Sequence, residues 1–497
     1  MIISDFLSNS ARKYPDKAAV KHGGNQYTYC QLLDLSNAFA TYLLGKGIEK
    51  GDRIAVFMDN CVEYAISYFG ILKCGAIAVP LNNQLVSGEI VPLLKDCGPK
   101  AVVTVNKNCE KIEEAVKESG ISAKVVNISN LDLPKGCDEQ NIFPDVSEED
   151  LSMIIYTSGT TGRQKGVVLS HSNLDSNADS IIEYLGLTSD DSIMAVMPFY
   201  YSYGNSLLTT HIKAGGTIVI NNSFMYPNVV LDEILSENVT GFAGVPSHFS
   251  ILLNKSALRK YKFPELRYVT QAGGAMDPEM IKEFVGIMPD VRFFVMYGQT
   301  EASARLSYLD PDMLTEKMGS VGKNIPGVEL EILDENGKKA DPGDIGEIVA
   351  RGKNIMKGYW NDDAETSLVL KKEGLYTGDL ALIDNDGYIY IKGRSKDMIK
   401  SGANRISPLE IETIISKFPG ISGCAAVGIP DKILGETIKL FIVVDDEKIT
   451  TEDILIYCRE NMASYKVPGC IEIIDELPKT HTGKIRRRDL KAAGKEA

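Results

Sequence analysis

The densest chemistry in the sequence lies in the run Tyr156-Thr157-Ser158-Gly159-Thr160-Thr161-Gly162-Arg163-Gln164-Lys165-Gly166-Val167, directly after the apolar stretch Met153-Ile154-Ile155. Its three glycines let the backbone approach an anion closely. The hydroxyls of Thr157, Ser158, Thr160 and Thr161, with the loop amides, can donate to phosphate oxygens, and Lys165 adds a positive charge. The run therefore predicts a triphosphate cradle. It is not a Walker loop, because Gly166 follows Lys165 where Ser or Thr is required, and Val167-Val168-Leu169 resumes a strand instead of opening a helix.

The same run resembles, almost residue for residue, the signature loop of the adenylate-forming superfamily: acyl-CoA synthetases, adenylation domains of peptide synthetases and firefly luciferases. The pattern is most like the AMP-forming acyl-CoA ligases. One departure is Gln164, where that family usually has Pro; the change loosens the loop modestly and leaves its phosphate donors intact. Other family segments follow in order. Gly273-Gly274-Ala275 resembles the small-residue segment that lies against adenine. In Tyr297-Gly298-Gln299-Thr300-Glu301-Ala302 the resemblance implies that Tyr297 stacks on the base while Thr300 and Glu301 serve phosphate and magnesium. A hard cation does favour a carboxylate together with phosphate oxygens.

Tyr376-Thr377-Gly378-Asp379-Leu380 matches the element whose aspartate accepts the ribose hydroxyls, a role suited to an ionised carboxylate. Gly346-Glu347-Ile348, Gly358-Tyr359 and residues 73–82 resemble further core segments. Near the C-terminal end, Gly393-Arg394-Ser395-Lys396-Asp397-Met398-Ile399-Lys400-Ser401-Gly402 resembles the hinge and the loop after it. This implies Arg394 near ribose, Lys396 at the pivot, and Lys400, Ser401, Gly402 and Ala403 on the thiol side. Pro478-Lys479-Thr480-His481-Thr482-Gly483-Lys484-Ile485 resembles the C-terminal signature, and Lys484 is the implied bridge between the attacking carboxylate and the α-phosphate.

The resemblance implies an acid–thiol ligase using ATP, Mg2+ and coenzyme A. An organic acid becomes an acyl-adenylate, and its acyl group then passes to a thiol. Carboxylate attack on a phosphate sets anion against anion, so catalysis must come from positioning and from cations such as Lys165, Lys484 and a magnesium on Glu301. No Ser/His/Asp arrangement is required, and His171 and His248 read as a helix-start and a pocket-wall residue. Tyr201, Ser202, Tyr203 and Gly204 fall where the family lines its acyl pocket. That segment carries no Asp to hold an ammonium group, so a fatty or aromatic acid is expected rather than an α-amino acid. An acyl carrier protein is the alternative acceptor. A non-catalytic nucleotide sensor would have no need of Lys484, Glu301 and a hinge together.

Composition agrees. A formal charge of -14 over 497 residues argues against a nucleic-acid coat, and no apolar run reaches the ~20 residues that span a bilayer. The nine cysteines are scattered without metal-ligand spacing and read as reduced. The start MIISDFLSNSARKYPD lacks a basic segment followed by an apolar one, which predicts a cytoplasmic protein.

Alternating apolar runs and amphipathic stretches must position these residues, and they predict an α/β protein. Residues 29–44, 63–74 and 87–96 have helical spacing, and 53–58, 76–81 and 101–105 read as buried strands; 281–287 and 291–296 repeat the alternation. A turn cluster at Asp384-Asn385-Asp386-Gly387 and the polar stretch 392–397 mark a boundary. The expectation is a large N-terminal domain of stacked βα sheets over 1–395, binding ATP and acid. A small, mobile α+β C-terminal domain over 396–497 would carry the catalytic lysine, with a helix at 408–417 and strands at 423–428 and 438–444.

Overall fold

The computed structural model describes residues 1–133, 143–157, 164–401, 404–431, 434–445, 448–479 and 485–493. By packing, the chain forms two compact units, Met1–Leu330 with Ala350–Leu375, and Glu331–Val349 with Tyr376–Ala497.

The first unit contains two large sheets whose strands are short, nearly continuous apolar runs, as expected of strands covered on both faces. One sheet runs Gly358–Tyr359, Lys165–Ser170, Leu151–Thr157, Ile77–Pro80, Arg53–Phe57, Ala101–Thr104, Lys124–Asn127. Its last five strands are parallel, and the first two join antiparallel. The helices between strands have local causes. Helix Tyr29–Gly45 begins at a capping box, where Thr28 accepts from the Gln31 amide and Gln31 from the Thr28 amide. Helix Ser87–Cys97 stops at Gly98, which takes the left-handed conformation.

The second sheet runs Lys323–Asn324, Ser307–Leu309, Arg292–Tyr297, Tyr268–Gln271, Gly241–Gly244, Ser192–Ala195, Thr217–Ile220, Ala18–His22, Asn25–Thr28. The run from Arg292–Tyr297 to Ala18–His22 is parallel throughout. Ligands of open parallel sheets bind outside the carboxyl ends of the strands, so the segments leaving those ends are the ones to inspect. A shared apolar core that includes Phe39, Tyr64, Phe69, Phe199 and Phe294 holds this unit together. Buried tyrosines keep their hydroxyls satisfied: Tyr64 donates to the Phe199 carbonyl (3.1 Å) and Tyr29 to that of Gly216 (2.6 Å).

In the second unit, strands Ile421–Asp431 and Gly435–Val444 form an antiparallel pair, and Cys470–Ile473 joins the latter in parallel. Helix Pro408–Ile415, capped by Ser407, and helix Thr451–Asn461, opened by a capping box at Thr450, supply apolar residues to one core with Ile399, Leu440 and Ile442. A second core, Ala425, Val427, Phe441, Leu477 and Leu490, lies with helix Arg487–Ala493. This is the expected α+β arrangement. Residues 376–395, which the sequence reading assigns to the N-terminal domain, group by packing with this unit, where Gly374–Ile383 and Ile389–Arg394 pair from Asp379↔Arg394 to Ile383↔Ile389.

Candidate active site

The glycine-rich run closes a β-hairpin. Strands Leu151–Thr157 and Lys165–Ser170 pair antiparallel, and their last register pair is Thr157↔Lys165. Ser158, Gly159, Thr160, Thr161 and Gly162 lie outside the described residues. Lys165 is held from three sides. Its ammonium pairs with Glu365, sits 5.0 Å from the Tyr359 ring centroid, and its strand pairs with Gly358–Tyr359. Glu365 is placed by the helix Asp363–Val369, where Asp362 caps the Glu365 amide.

Three neighbouring parallel strands deliver the other nucleotide candidates to one sheet edge. Tyr268–Gln271 leads into Ala272, Gly273, Gly274 and Ala275, Arg292–Tyr297 into Gly298, Gln299, Thr300 and Glu301, and Gly241–Gly244 into Val245 and Pro246. Gln271 donates to the Gly274 carbonyl at 2.7 Å, which folds the glycine segment back on its own strand. At Gly298 a Cβ would stand 2.1 Å from the Ala304 carbonyl, so this tight return admits only glycine. Glu301 accepts a hydrogen bond from the Tyr359 hydroxyl (2.9 Å), and its carbonyl accepts from the Met356 amide (2.9 Å). Among the described residues no group of three or more His, Cys, Asp or Glu could by itself hold a metal. One carboxylate completed by phosphate oxygens and water is how magnesium is usually held beside a nucleotide, and Glu301 fits that pattern.

Tyr201 stands at the N-terminal end of helix Ser202–Ala214. Its hydroxyl accepts from Asn82 at 3.3 Å and is pushed up to about 12 by burial, so it keeps its proton. Ser202 lies 3.1 Å from Thr300, hydroxyl to hydroxyl, linking the acyl-side segment to the nucleotide-side one. Tyr203 is buried, its hydroxyl on Thr270 and its ring under the Arg305 guanidinium (4.1 Å). Gly204 packs so tightly that a Cβ would meet the Pro198 carbonyl at 2.0 Å. His171 opens helix His171–Leu185, accepts the Ile3 amide through Nδ1 (3.1 Å), and burial lowers it to about 4. His248, lowered likewise by burial, lies 4.2 Å from the Phe224 ring.

In the second unit, Asp379 is buried and its Oδ1 takes the Arg394 Nε at 2.7 Å, the two residues being register partners across adjacent strands. Thr377 donates to the Ile348 carbonyl, and the Gly378 amide donates to Glu347 (2.9 Å each). Lys396 is exposed in the turn closed by the Asp397 and Met398 amides on the Arg394 carbonyl. Lys400 and Ser401 form part of strand Ile399–Ser401; Gly402 and Ala403 lie outside the described residues, as does Lys484. The flanks of Lys484 are described: Lys479 bridges Ile485, and the Arg486 amide donates to the Pro478 carbonyl at 2.8 Å. Arg487 then grips Glu412 with both terminal nitrogens and the Ala426 carbonyl with one (3.0 Å).

The pairings of Lys165 with Glu365, Glu301 with Tyr359 and Arg487 with Glu412 are absent from the sequence reading. Only the acidic N-cap turn Asp362-Asp363-Ala364-Glu365 carries a local signal that a carboxylate is being presented.

The AMP-binding enzyme family model matches residues 7–360, and the AMP-binding enzyme C-terminal domain matches residues 410–484. The chain is 31% identical to a long-chain-fatty-acid–CoA ligase of Escherichia coli O157:H7, over 98% of this chain and 93% of the relative. It is 32% identical to a feruloyl-CoA synthase of an Amycolatopsis species, over 97% and 96%. The fold is similar to that of o-succinylbenzoate–CoA synthetase from Bacillus subtilis. The structure of that enzyme with its acyl-adenylate intermediate has a TM-score of 0.89 and 27% identity, over 98% and 97% of the chains. The same synthetase has been solved with ATP and a magnesium ion (TM-score 0.89, 27% identity, 98% and 99% covered).

Proposed function

Since the chain belongs to the AMP-binding enzyme family and is an AMP-forming acid–CoA ligase that uses ATP, Mg2+ and coenzyme A, we propose that its acid is a fatty or aromatic carboxylic acid. The observation that carries this reading is the aromatic character of the acyl-side segment. Tyr200 and Tyr201 stack edge to face at 4.6 Å, the Phe224 ring lies 4.2 Å from His248, and 198–204 has no carboxylate to hold an ammonium. His248, neutral at ordinary pH, adds no counter-ion of its own. The long-chain and feruloyl relatives act on acids of these two kinds.

The chain's own residues divide the work. Thr157 to Lys165 bind the triphosphate, Gly273, Gly274, Ala275 and Tyr297 hold adenine, and Asp379 with Arg394 holds ribose. Lys484 would bring the acid carboxylate and the α-phosphate together, and Thr300 with Ser202 would orient the reacting groups. Glu301 would hold magnesium, which when bound offsets the triphosphate charge. Lys396 would be the pivot between 1–395 and 396–497, withdrawing Lys484 after adenylation and presenting Lys400, Ser401, Gly402 and Ala403 to the thiol. The use of ATP and coenzyme A supports a cytoplasmic location; separately, among the described residues no helix is long and apolar enough to cross a membrane.

A panel of fatty, aromatic and α-amino acids, followed by pyrophosphate release with and without coenzyme A, tests the reading. Saturable turnover of a fatty or aromatic acid into its CoA thioester is expected. A preference for an amino acid, or transfer only to a phosphopantetheinylated carrier protein, would overturn the acid class or the free-thiol acceptor respectively.

A further inference from the structure

The short segment 354–359 of the first unit grips the turn that bears Glu301 at several points. The Met356 amide donates to the Glu301 carbonyl (2.9 Å), Asn354 Nδ2 donates to the carbonyls of Ala302 (3.2 Å) and Arg305 (3.0 Å), and Ser303 Oγ donates to the Asn354 carbonyl (2.7 Å). The turn needs such support, because Ser303 has φ 64° and ψ -44°, a conformation that side-chain-bearing residues adopt only under constraint. At the end of the same segment, the Tyr359 hydroxyl donates to Glu301 Oε1 at 2.9 Å.

Tyr359 itself is fixed by contacts that do not involve its hydroxyl. Its backbone pairs with Val167, its amide donates to Thr366 Oγ1 (2.9 Å), and its ring lies beneath the Lys165 ammonium. The ring is thus held by the strand that carries the phosphate-loop lysine, while its hydroxyl reaches the carboxylate on the neighbouring sheet edge. We infer that Tyr359 is a positioning residue for the metal-binding carboxylate, its hydroxyl fixing Glu301 in the orientation that accepts a nucleotide-bound divalent cation. The inference rests on the proposed role of Glu301. A carboxylate has about four lone-pair sites, so one donated hydrogen bond orients it and leaves capacity for a cation. Partners of this kind hold metal ligands in place, and their loss typically weakens metal binding 10- to 100-fold.

Tyr359→Phe removes only the hydroxyl and keeps the ring under Lys165. Binding of Mn2+ to the full chain is titrated by electron paramagnetic resonance in the presence of an ATP analogue with a methylene between the α- and β-phosphorus, which cannot be adenylated. Affinity of the analogue without metal is measured alongside. Tyr359→Phe should weaken Mn2+ by about 10-fold, Glu301→Gln should weaken it further, and the metal-free affinity should be the same in the wild type and Tyr359→Phe. Weakened Mn2+ in Glu301→Gln with wild-type Mn2+ affinity in Tyr359→Phe would overturn the inference and leave the Glu301 assignment standing. Wild-type Mn2+ affinity in Glu301→Gln would overturn that assignment and the inference with it. A Tyr359→Phe protein that loses metal-free and metal-bound affinity equally would show a merely structural role and overturn the inference as well.

Discussion

Replacing Arg487 with Ala should separate the two half-reactions, because Arg487 anchors the segment that follows Lys484. Its guanidinium takes both oxygens of Glu412, one contact measuring 2.8 Å, and also donates to the Ala426 carbonyl at 3.0 Å; the side chains are 20% and 11% exposed. Breaking so buried a pair from one side costs about 3–5 kcal/mol, because a buried carboxylate loses its guanidinium partner, and among the described residues the Ala426 amide remains as a donor to Glu412. What then holds the segment is the burial of Leu490, worth about 2 kcal/mol, the packing of Ile485 on the same core, and the backbone links of Ile485 to Lys479 and of Arg486 to Pro478. The undocked state of residues 485–493 should become more populated than in the wild type. If Lys484 works from this anchored position, adenylation should fall by up to about 10²-fold, the scale of losing one electrostatic donor to a transition state. Thioester formation from pre-formed acyl-adenylate should be spared. Arg487→Lys keeps the charge without the two-pronged grip and should fall between. Acid-dependent exchange of labelled pyrophosphate into ATP measures the first half-reaction, CoA thioester yield from supplied adenylate the second, and hydrogen exchange at 485–493 the docking. Undocking with unchanged pyrophosphate exchange, or an equal loss in both half-reactions, would show that the Arg487 anchor does not position Lys484.

Other substitutions test the hinge, the ribose-side carboxylate and the buried histidines. Lys396→Pro fixes φ near -65° and removes an amide donor, so it should arrest the pivot in one orientation and abolish one half-reaction, while Lys396→Ala keeps most of both; separate assays of the two steps check this. Asp379→Asn removes the carboxylate that pairs with Arg394 and would accept from ribose, and should raise KM for ATP by roughly 10-fold or more, the range of a charge-assisted hydrogen bond, with KM for the acid little changed in steady-state kinetics. His171, His211 and His248 are each lowered to about 4 by burial, so unfolding lets each take up a proton between its folded value and about 6.5. Stability from these groups is present above about pH 6.5 and is lost as pH falls toward 4, and the denaturation midpoint of the first compact unit should drop steadily over that window.

What the sequence made legible was local. The strands flanking the glycine-rich run could be read because its glycines and hydroxyls are consecutive and bounded by apolar runs, and these strands pair as Leu151–Thr157 with Lys165–Ser170. Helix Tyr29–Gly45 and the parallel strands Arg53–Phe57 and Ala101–Thr104 were visible as 3.6-residue and continuous apolar patterns for the same reason. Strand order was not legible. Ser192–Ala195 lies between Thr217–Ile220 and Gly241–Gly244, an arrangement set by how helices pack on both faces and by no single segment. Nor were the partners of the candidate residues. Lys165 meets Glu365 across 200 positions, Glu301 meets Tyr359 across 58, and Glu412 meets Arg487 across 75. At such separations a charged or polar side chain carries no mark of its partner, whereas a capping box or a glycine turn is written within four residues. The packing division at Leu375–Tyr376 was equally hidden, since the turn cluster at 384–387 joins two strands of one hairpin and is no linker.

In an AMP-forming ligase the acid is activated as an adenylate before any thiol is needed. Incubating the full chain with ATP, Mg2+, labelled pyrophosphate and a turned-over acid, without coenzyme A, tests it most directly. Label should appear in ATP only when the acid is present, with AMP and thioester forming in equal amounts once coenzyme A is added; acid-dependent cleavage of ATP to ADP and phosphate, with no exchange of label, would exclude an adenylate.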